Sequence, residues 1–244
     1  MIDRISSRTN PRVKAASEIA RKPSSASFVI EGFHLVEMAK EAGLIDEIFA
    51  TEDAKAEGQN IHIVTRDIID KIAVSKSPEP ILAIAHKPEA VGPLGPRVLV
   101  LDRVQDPGNV GTLLRTALSF GFNDVVFLPG TCSPFNAKAI ASSQGAIFPL
   151  RLRFPKSETA FVEEMKALGY RIIGSALQGT KPLETYQSVN KELCLIVGNE
   201  GRGMSPFLLK SSDDLLKISM CGIDSLNVGV AGGILMHHFY IPKN

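Results

Sequence analysis

The stretch LCLIVGNEGRGMSP, residues 193–206, decides the fold class. Its first five residues are apolar without alternation, which is typical of a strand covered on both faces of a parallel sheet. A glycine-rich loop follows, and Ser205 with Pro206 then forms a helix start, with serine as the cap and proline in the first turn. Strand, loop and helix in this order predict an α/β domain whose ligands bind beyond the carboxyl ends of its strands.

Apolar runs on both sides of this stretch extend the α/β pattern. In the C-terminal part they alternate with helical stretches and predict a mostly parallel sheet with helices on both faces; they cover residues 98–101, 125–128, 171–174 and 215–219. In the N-terminal part shorter runs predict a small α/β unit; they cover residues 28–30, 48–50, 61–64 and 81–85, with helical stretches at 11–22, 33–42 and 65–74.

The segment HKPEAVGPLGPR, residues 86–97, separates these two patterns. It is rich in proline and glycine, and a periodic pattern stops before it and restarts after it, as expected for an interdomain linker. The sequence therefore predicts a domain at residues 1–88, a linker at 89–97 and a second domain at 98–244.

Composition excludes several classes of protein. With 244 residues, 44% of them hydrophobic and 22% charged, the chain is long and apolar enough to bury sizeable cores. Three cysteines without CxxC spacing predict neither a disulfide framework nor a zinc site, and we expect no metal. The most apolar window, residues 228–241, is too short to span a membrane. The N-terminus has no apolar leader segment, so we expect a cytoplasmic protein.

The common nucleotide signatures are also missing from the sequence. It contains no GxxxxGK[ST] and no GxGxxG opening a helix after a strand, which argues against a P-loop NTPase and an ordinary dinucleotide-binding domain. The net charge of +1 conceals a surplus of Lys and Arg in residues 1–22. A basic N-terminal face is compatible with nucleic-acid binding, but on charge alone a solvated helix face is the simpler explanation.

Two helices of the second domain carry informative patterns. An apolar stripe with helical spacing includes Val110, Leu113, Leu114 and Ala117, and Arg115 lies on the polar flank beside it, from which it can reach a cleft. The last helix, residues 225–238, is apolar nearly all round and rich in glycine. Such a helix must be covered on most sides, by the sheet and by a second subunit.

Three polar, glycine-containing segments follow predicted strands. They are DPGNVGTLLR (residues 106–115), GNEGRGMSP (198–206) and ISMCGIDSLNVGVA (218–231). Together, in this order, they resemble the three motifs of the SpoU family, the 2′-O-ribose RNA methyltransferases of the knotted SPOUT superfamily. NPRVK (10–14) and FVIEGFHLV (28–36) resemble the substrate-binding domain of the ribosomal RNA enzymes in this family, which is similar to the RNA-binding L30e fold.

The resemblance implies a deep trefoil knot in the C-terminal domain and S-adenosyl-L-methionine as the methyl donor. By position, the donor-binding residues are Gly198, Ile218, Met220 and Leu226. Glycine lets the main chain approach a ligand closely, whereas plain core packing is the alternative role for the three larger residues. The chain departs from the family pattern at Ser219, where proline is common, and at Gly229, where serine is usual.

Arg115 matches the catalytic arginine of the family. Because a guanidinium is costly to deprotonate, we expect Arg115 to stabilise negative charge on the ribose oxygen and to bind the adjacent phosphate, which shares in proton loss. A surface ion pair is the alternative role for Arg115.

The resemblance gives four more residues site roles, each with a simpler alternative. Asn109 supports the arginine or caps its helix. Glu200 orients Arg115 or a neighbouring subunit, or is a solvated loop acid. Ser225 and Asn227 belong to the active site, or Ser225 is the N-cap of the last helix with Asn227 in its first turn.

The resemblance therefore implies a homodimeric RNA 2′-O-methyltransferase that uses S-adenosyl-L-methionine and acts on structured RNA. Large-subunit ribosomal RNA is the expected substrate, and transfer RNA is the alternative. A protein of another class, which binds RNA or senses S-adenosyl-L-methionine without catalysis, is the rival interpretation. A third interpretation is methylation of a base instead of the ribose.

Overall fold

The computed structural model describes residues 2–179, 181–187, 192–240 and 242. Its strands and helices, in chain order, are β1 (Ile2–Ile5), α1 (Pro11–Arg21), β2 (Ser27–Glu31), α2 (Phe33–Glu41), β3 (Ile45–Ala50), β4 (Ile61–Val64), α3 (Arg66–Ile72), β5 (Ile81–His86), β6 (Arg97–Asp102), α4 (Pro107–Ser119), β7 (Asp124–Phe127), α5 (Ala137–Ser143), β8 (Arg151–Arg153), α6 (Glu158–Ala167), β9 (Arg171–Ser175), β10 (Lys181–Pro182), β11 (Leu193–Gly198), α7 (Pro206–Ser211), β12 (Asp214–Lys217) and α8 (Val228–His238). Two single 3-10 turns, Glu52–Ala54 and Leu183–Thr185, complete the set.

The chain divides into two compact units, and one segment departs from the predicted division. Unit 1 contains residues 1–88 together with 134–148, and unit 2 contains residues 89–133 and 149–244. The predicted second domain, 98–244, is therefore corrected, because α5 packs on β2 of unit 1. The predicted linker, 89–97, is part of unit 2, since Arg97 begins β6 and the backbone amide of Gly95 donates to Asp124.

Unit 1 is a five-stranded sheet with the order β1-β4-β3-β5-β2. Strands β1, β4 and β3 run parallel, and β5 runs antiparallel to β3 and β2. One core of this unit joins α1 and α3 to the sheet through residues such as Val13, Ile69 and Phe49, all of them buried. Strand β1 was not predicted, because IDRI carries two charged residues among four.

Unit 2 is a seven-stranded sheet with the order β10-β12-β9-β11-β6-β7-β8, and all its pairs are parallel. The predicted mostly parallel α/β sheet is confirmed. The central strands β6 and β11 are buried along nearly their whole length, which explains their unbroken apolar sequence. Across the described residues, no helix has the length and apolar content needed to cross a membrane.

Side-chain caps fix where the helices of unit 2 begin. Asp106 accepts a hydrogen bond from the Asn109 backbone amide at the start of α4, and Ser205 accepts one from Leu208 at the start of α7. The predicted helix start at Ser205 and Pro206 is confirmed. The last helix begins at Val228, three residues later than predicted, because Asn227 is its cap.

Helix α8 packs directly on α4. The approach is close because α8 presents glycine at the contact: a Cβ on Gly232 would lie 2.3 Å from Leu113 Cδ2. The same packing places the beginnings of α4 and α8 beside each other. The glycines of the last helix thus allow it to pack against α4 of the same chain. Val230 and Ile234 on this helix are exposed.

Candidate active site

A pocket opens at the carboxyl ends of β9, β11 and β12. Its cavity volume is about 300 Å³. Four stretches line it: residues 175–178, residues 197–204, the pair Ile218 and Met220, and the start of α8 with the loop before it, represented by Ser225, Leu226, Val228 and Ala231. Two of the three segments singled out in the sequence, 198–206 and 218–231, therefore meet at one cavity, where ligands of parallel α/β sheets bind.

All four predicted donor-binding residues, Gly198, Ile218, Met220 and Leu226, line this pocket. Ile218, Met220 and Leu226 are half-buried. Plain core packing would bury them completely, so their position favours a wall that contacts a ligand. Contact with a methyl donor itself stays a prediction.

The loop after β11 is a tight hairpin that holds its own shape. Asn199 and Gly203 exchange two backbone hydrogen bonds, and the Asn199 side-chain oxygen accepts from the backbone amides of Gly201 and Arg202, each at 3.0 Å. A Cβ on Gly198 would lie 2.4 Å from the backbone nitrogen of Met204. Glycine at 198 is therefore required by the returning chain itself, in addition to any ligand that approaches it.

A chain of hydrogen bonds joins all three segments beside the pocket. Asn109 donates through Nδ2 to Glu200 Oε1 at 3.0 Å, and Asn227 donates through Nδ2 to Asn109 Oδ1 at 2.9 Å. Glu200 also accepts from the backbone amides of Gln105 and Asp106, each at 3.2 Å. The start of α4, the loop after β11 and the start of α8 are thus fixed to one another.

This network corrects three expectations about single residues. Asn109 does not cap α4, because Asp106 is the cap and the Asn109 side chain forms hydrogen bonds with Glu200 and Asn227. Glu200 is not a free loop acid, because it accepts from Asn109, from Asn199 and from the backbone amides of Gln105 and Asp106; among the described residues it does not touch Arg115, so any orienting effect passes through α4. Ser225 is not the N-cap of the last helix, because Asn227 accepts from the amides of Gly229 and Val230; Ser225 lines the pocket instead.

Glu200 is held in its ionised form. Partial burial opposes ionisation, but the Asn109 amide and the backbone amides of Glu200, Gln105 and Asp106 outweigh it and hold the pKa of Glu200 below its ordinary value. An ionised carboxylate only accepts hydrogen bonds, so Glu200 keeps Asn109 in the orientation that leaves Asn109 Oδ1 free to accept from Asn227.

Arg115 is exposed on α4 and is not part of the pocket lining. It lies six residues after Asn109, which is about 9 Å along the helix axis and roughly 120° around it. Within the part of the chain that the structure describes, its guanidinium has no ion pair, so the surface ion pair considered as its alternative role is not formed. The single chain does not bring Arg115 into the lining of its own pocket.

Sequence reasoning missed two parts of the site. One is Asn199, whose side chain shapes the hairpin and also donates to the Arg103 carbonyl at 2.8 Å. Asparagine just before a glycine turn is a signal for such a loop. The other is the wall formed by residues 175–178, at the carboxyl end of β9. Their position after a buried parallel strand was the available signal.

Comparison with known proteins places this geometry in context. Residues 96–237 match the family model described as the SpoU rRNA Methylase family. The 23S rRNA (guanosine(2553)-2′-O)-methyltransferase RlmP of Bacillus subtilis is 35% identical over 96% of this chain and 98% of its own length.

Two solved structures have the same fold as this chain. The crystal structure of an AdoMet-bound rRNA methyltransferase from Sinorhizobium meliloti is similar with a TM-score of 0.87 and 27% identity, covering 97% of both chains. The SpoU methyltransferase AviRb from Streptomyces viridochromogenes, solved with AdoMet, has a TM-score of 0.82 at 19% identity and covers 94% of this chain and 96% of its own.

Proposed function

The chain belongs to the SpoU rRNA methylase family, and from this premise we propose that it transfers a methyl group from S-adenosyl-L-methionine to a ribose 2′-hydroxyl of RNA. One observation supports the activity beyond family membership: the hydrogen bonds that join Glu200, Asn109 and Asn227 tie the two segments that line the pocket to the start of the helix that carries Arg115. A binding protein without catalysis would need the pocket, but not a network that ties the pocket loop to the start of the helix that carries Arg115.

The residues of the pocket fit the proposed methyl donor. The cavity of about 300 Å³ is at the lower end of the range for small-molecule sites. Ile218 and Leu226 provide apolar contact for an adenine ring, and the backbone of the loop at Gly198 provides polar groups for a ribose. S-adenosyl-L-methionine supplies an electrophilic methyl group on a sulfonium centre. Glu200, Asn109 and Asn227 keep the pocket wall in place around it.

Arg115 acts on the acceptor side of the reaction. Negative charge develops on the ribose oxygen as methylation proceeds, and a guanidinium stabilises such charge without losing its own proton. The same side chain binds an RNA phosphate with paired N–H donors and so orients the ribose. That phosphate shares in the loss of the hydroxyl proton, which is released as the methyl group leaves the sulfonium and bonds to the oxygen. Asn109 and Glu200 act indirectly, since they fix the helix that carries Arg115.

A homodimer completes the site in this proposal. Arg115 is outside the pocket lining of its own chain, and Val230 and Ile234 leave an apolar face of α8 exposed, 53% and 40% respectively. A second copy that covers this face is expected to bring its Arg115 to the pocket. We include in this proposal the trefoil knot that the family implies for the C-terminal unit. A knotted pocket wall and the second copy would together hold the methyl donor.

Structured ribosomal RNA is the proposed substrate, and residues 1–88 are the proposed RNA-binding part with an L30e-like fold. The surplus of Lys and Arg in residues 1–22 supports attraction to RNA phosphates, and RNA exposes its 2′-hydroxyls in loops and in its shallow groove. The ribosomal substrate of the relative RlmP supports large-subunit RNA over transfer RNA. A cytoplasmic location belongs to the same proposal.

Methyl transfer to separated RNA classes tests the proposal. Purified protein is incubated with labelled S-adenosyl-L-methionine and with 23S rRNA, 16S rRNA or transfer RNA, and the product nucleosides are separated. We expect label in a 2′-O-methylnucleoside of 23S rRNA. Binding of the donor in calorimetry without transfer to any RNA would support the non-catalytic rival, and a base-methylated nucleoside would support the third interpretation.

A further inference from the structure

The wall of the pocket at Ile218 and Met220 is held from outside the pocket. Both residues line the cavity, whereas Ser219 between them does not. Ser219 therefore makes its polar contacts outside the cavity lining. Its partner there is Glu184: the Ser219 backbone amide donates to Glu184 Oε1 at 3.1 Å, and the Ser219 hydroxyl donates to Oε2 at 2.9 Å.

Glu184 lies on a turn that is anchored without its carboxylate. Strand β10 pairs with β12 immediately before the turn, and Leu183 is buried. Beyond Glu184, the Tyr186 hydroxyl donates to Asp214 at 2.7 Å, and His238 Nε2 lies 2.8 Å from the Tyr186 carbonyl oxygen. Removal of the carboxylate therefore leaves its own turn in place and releases only Ser219.

The carboxylate of Glu184 is suited to this contact. Its own backbone amide, the Ser219 hydroxyl and the Ser219 amide hold the pKa of Glu184 below its ordinary value. Ionised at neutral pH, it only accepts hydrogen bonds, and Ser219 offers two donors to its two oxygens. A proline at position 219 would have no N–H and no hydroxyl, and could not make either bond.

We propose that Glu184 is a positioning residue for the methyl-donor site, holding the backbone of Ser219 so that Ile218 and Met220 keep their places in the pocket wall. This inference rests on the proposed function for the identity of the ligand. Glu184 itself touches neither the pocket nor the reacting atoms. Loss of its carboxylate is expected to weaken the affinity for the methyl donor and to leave the rate of methyl transfer at saturating donor unchanged.

Four variants of the full-length protein test the proposal. Glu184→Ala and Ser219→Pro remove both hydrogen bonds, Ser219→Ala removes only the hydroxyl bond, and Glu184→Gln keeps an acceptor for one of them. Glu163→Ala is the matched control, because Glu163 is an exposed glutamate on α6 outside the pocket lining. Donor affinity is measured by calorimetry with S-adenosyl-L-methionine, and backbone protection by hydrogen exchange of the peptide that spans residues 217–227.

We expect Glu184→Ala to raise the dissociation constant for S-adenosyl-L-methionine about three- to tenfold and to speed exchange in 217–227, with kcat at saturating donor nearly unchanged. Ser219→Ala and Glu184→Gln should fall between Glu184→Ala and the wild type, and Glu163→Ala should match the wild type. The double variant Glu184→Ala with Ser219→Pro should bind no more weakly than the weaker single variant, because both remove the same contact.

Two results would overturn the proposal. Unchanged exchange in 217–227 for Glu184→Ala would show that the contact does not hold the wall. An unchanged dissociation constant for S-adenosyl-L-methionine in Glu184→Ala would show that donor binding does not depend on the contact between Glu184 and Ser219. If the wild type itself binds no S-adenosyl-L-methionine, the proposed function fails, and the positioning role of Glu184 fails with it. That result differs from the other two because calorimetry then detects no binding heat for the wild type or for any variant.

Discussion

The side-chain amide of Asn227 donates a 2.9 Å hydrogen bond to Oδ1 of Asn109, across 118 positions of sequence. In each asparagine, both the oxygen and the nitrogen of the side-chain amide form hydrogen bonds. Asn227 caps α8 with its oxygen while its nitrogen binds Asn109, and Asn109 in turn donates to Glu200. The first turns of α4 and α8 are therefore coupled to the loop after β11 through amides that allow only one orientation.

Asn109→Asp should break this coupling at nearly constant size. It replaces the donor that faces Glu200 with a carboxylate oxygen, so that two negative charges meet. We expect the free energy of unfolding to fall by about 2 kcal/mol and the affinity for S-adenosyl-L-methionine to weaken. Denaturant unfolding and calorimetry measure the two effects. Asn123→Asp, a change at an exposed asparagine outside the network, is the control; equal losses in both variants would contradict the account.

Two glycines of one loop should respond very differently to alanine. A Cβ at Gly198 would lie 2.4 Å from the Met204 nitrogen, whereas a Cβ at Gly201 meets nothing nearer than 3.8 Å. We expect Gly198→Ala to destabilise the protein by about 3 kcal/mol and to abolish donor binding, and Gly201→Ala to leave both almost unchanged. Thermal unfolding and calorimetry on the pair measure this contrast. A Gly198→Ala protein with wild-type affinity would show that the hairpin is not the pocket wall.

Asp124 should make stability depend on acid pH. Its carboxylate is fully buried; burial opposes ionisation, but Arg151, the Gly95 amide and Arg153 outweigh it and hold the pKa of Asp124 below its ordinary value. A lowered folded-state pKa stabilises the protein above the unfolded value of about 3.9, and this contribution is lost as the pH falls through the folded value.

Asp124→Asn should therefore lower the free energy of unfolding by about 3 kcal/mol at neutral pH, because Arg151 loses its charged partner. The difference from the wild type should shrink as the pH falls below about 4. Urea unfolding across this pH range measures it, with Glu163→Gln at an exposed position as the control. A difference that stays constant with pH would assign the loss to packing instead of charge.

Mixed dimers should reveal whether one site uses two copies. Arg115→Ala removes the arginine, and Leu226→Glu places a charge in the pocket lining; each alone should be inactive. If Arg115 serves the pocket of the other copy, a mixed dimer has one site with both changes and one intact site. Co-expressed and purified mixed dimers should then recover methyl transfer. No recovery, or an active wild type that sediments as a monomer, would contradict the shared site.

The elements that the sequence predicted well are those with continuous apolar runs. β6 and β11 are buried on both faces, and each apolar run ends one residue before its strand ends. β8 and β10 were missed because RLR and KP are too short and too polar to show a period. The assignment of residues 134–148 to unit 1 depends on packing of α5 against β2, which leaves no mark on local sequence.

In the candidate site, too, local sequence predicted some features and could not predict others. The three segments could be located by their order and by the strands before them, and the pocket residues followed. The partners of Asn109 and Glu200 could not be found, since each hydrogen bond joins residues about ninety or more positions apart. A local pattern favours capping for any asparagine at a helix start; here Asp106 takes that role and releases Asn109 for the network.

The central claim is that the pocket binds S-adenosyl-L-methionine and that Arg115 promotes transfer of the methyl group to a ribose oxygen. Its most direct test compares the wild type with Arg115→Ala for donor affinity in calorimetry and for the yield of 2′-O-methylnucleoside in 23S rRNA. We predict equal dissociation constants and a yield rate at least about 100-fold lower in the variant. Transfer by Arg115→Ala at near the wild-type rate, with the donor bound equally well, would contradict the account.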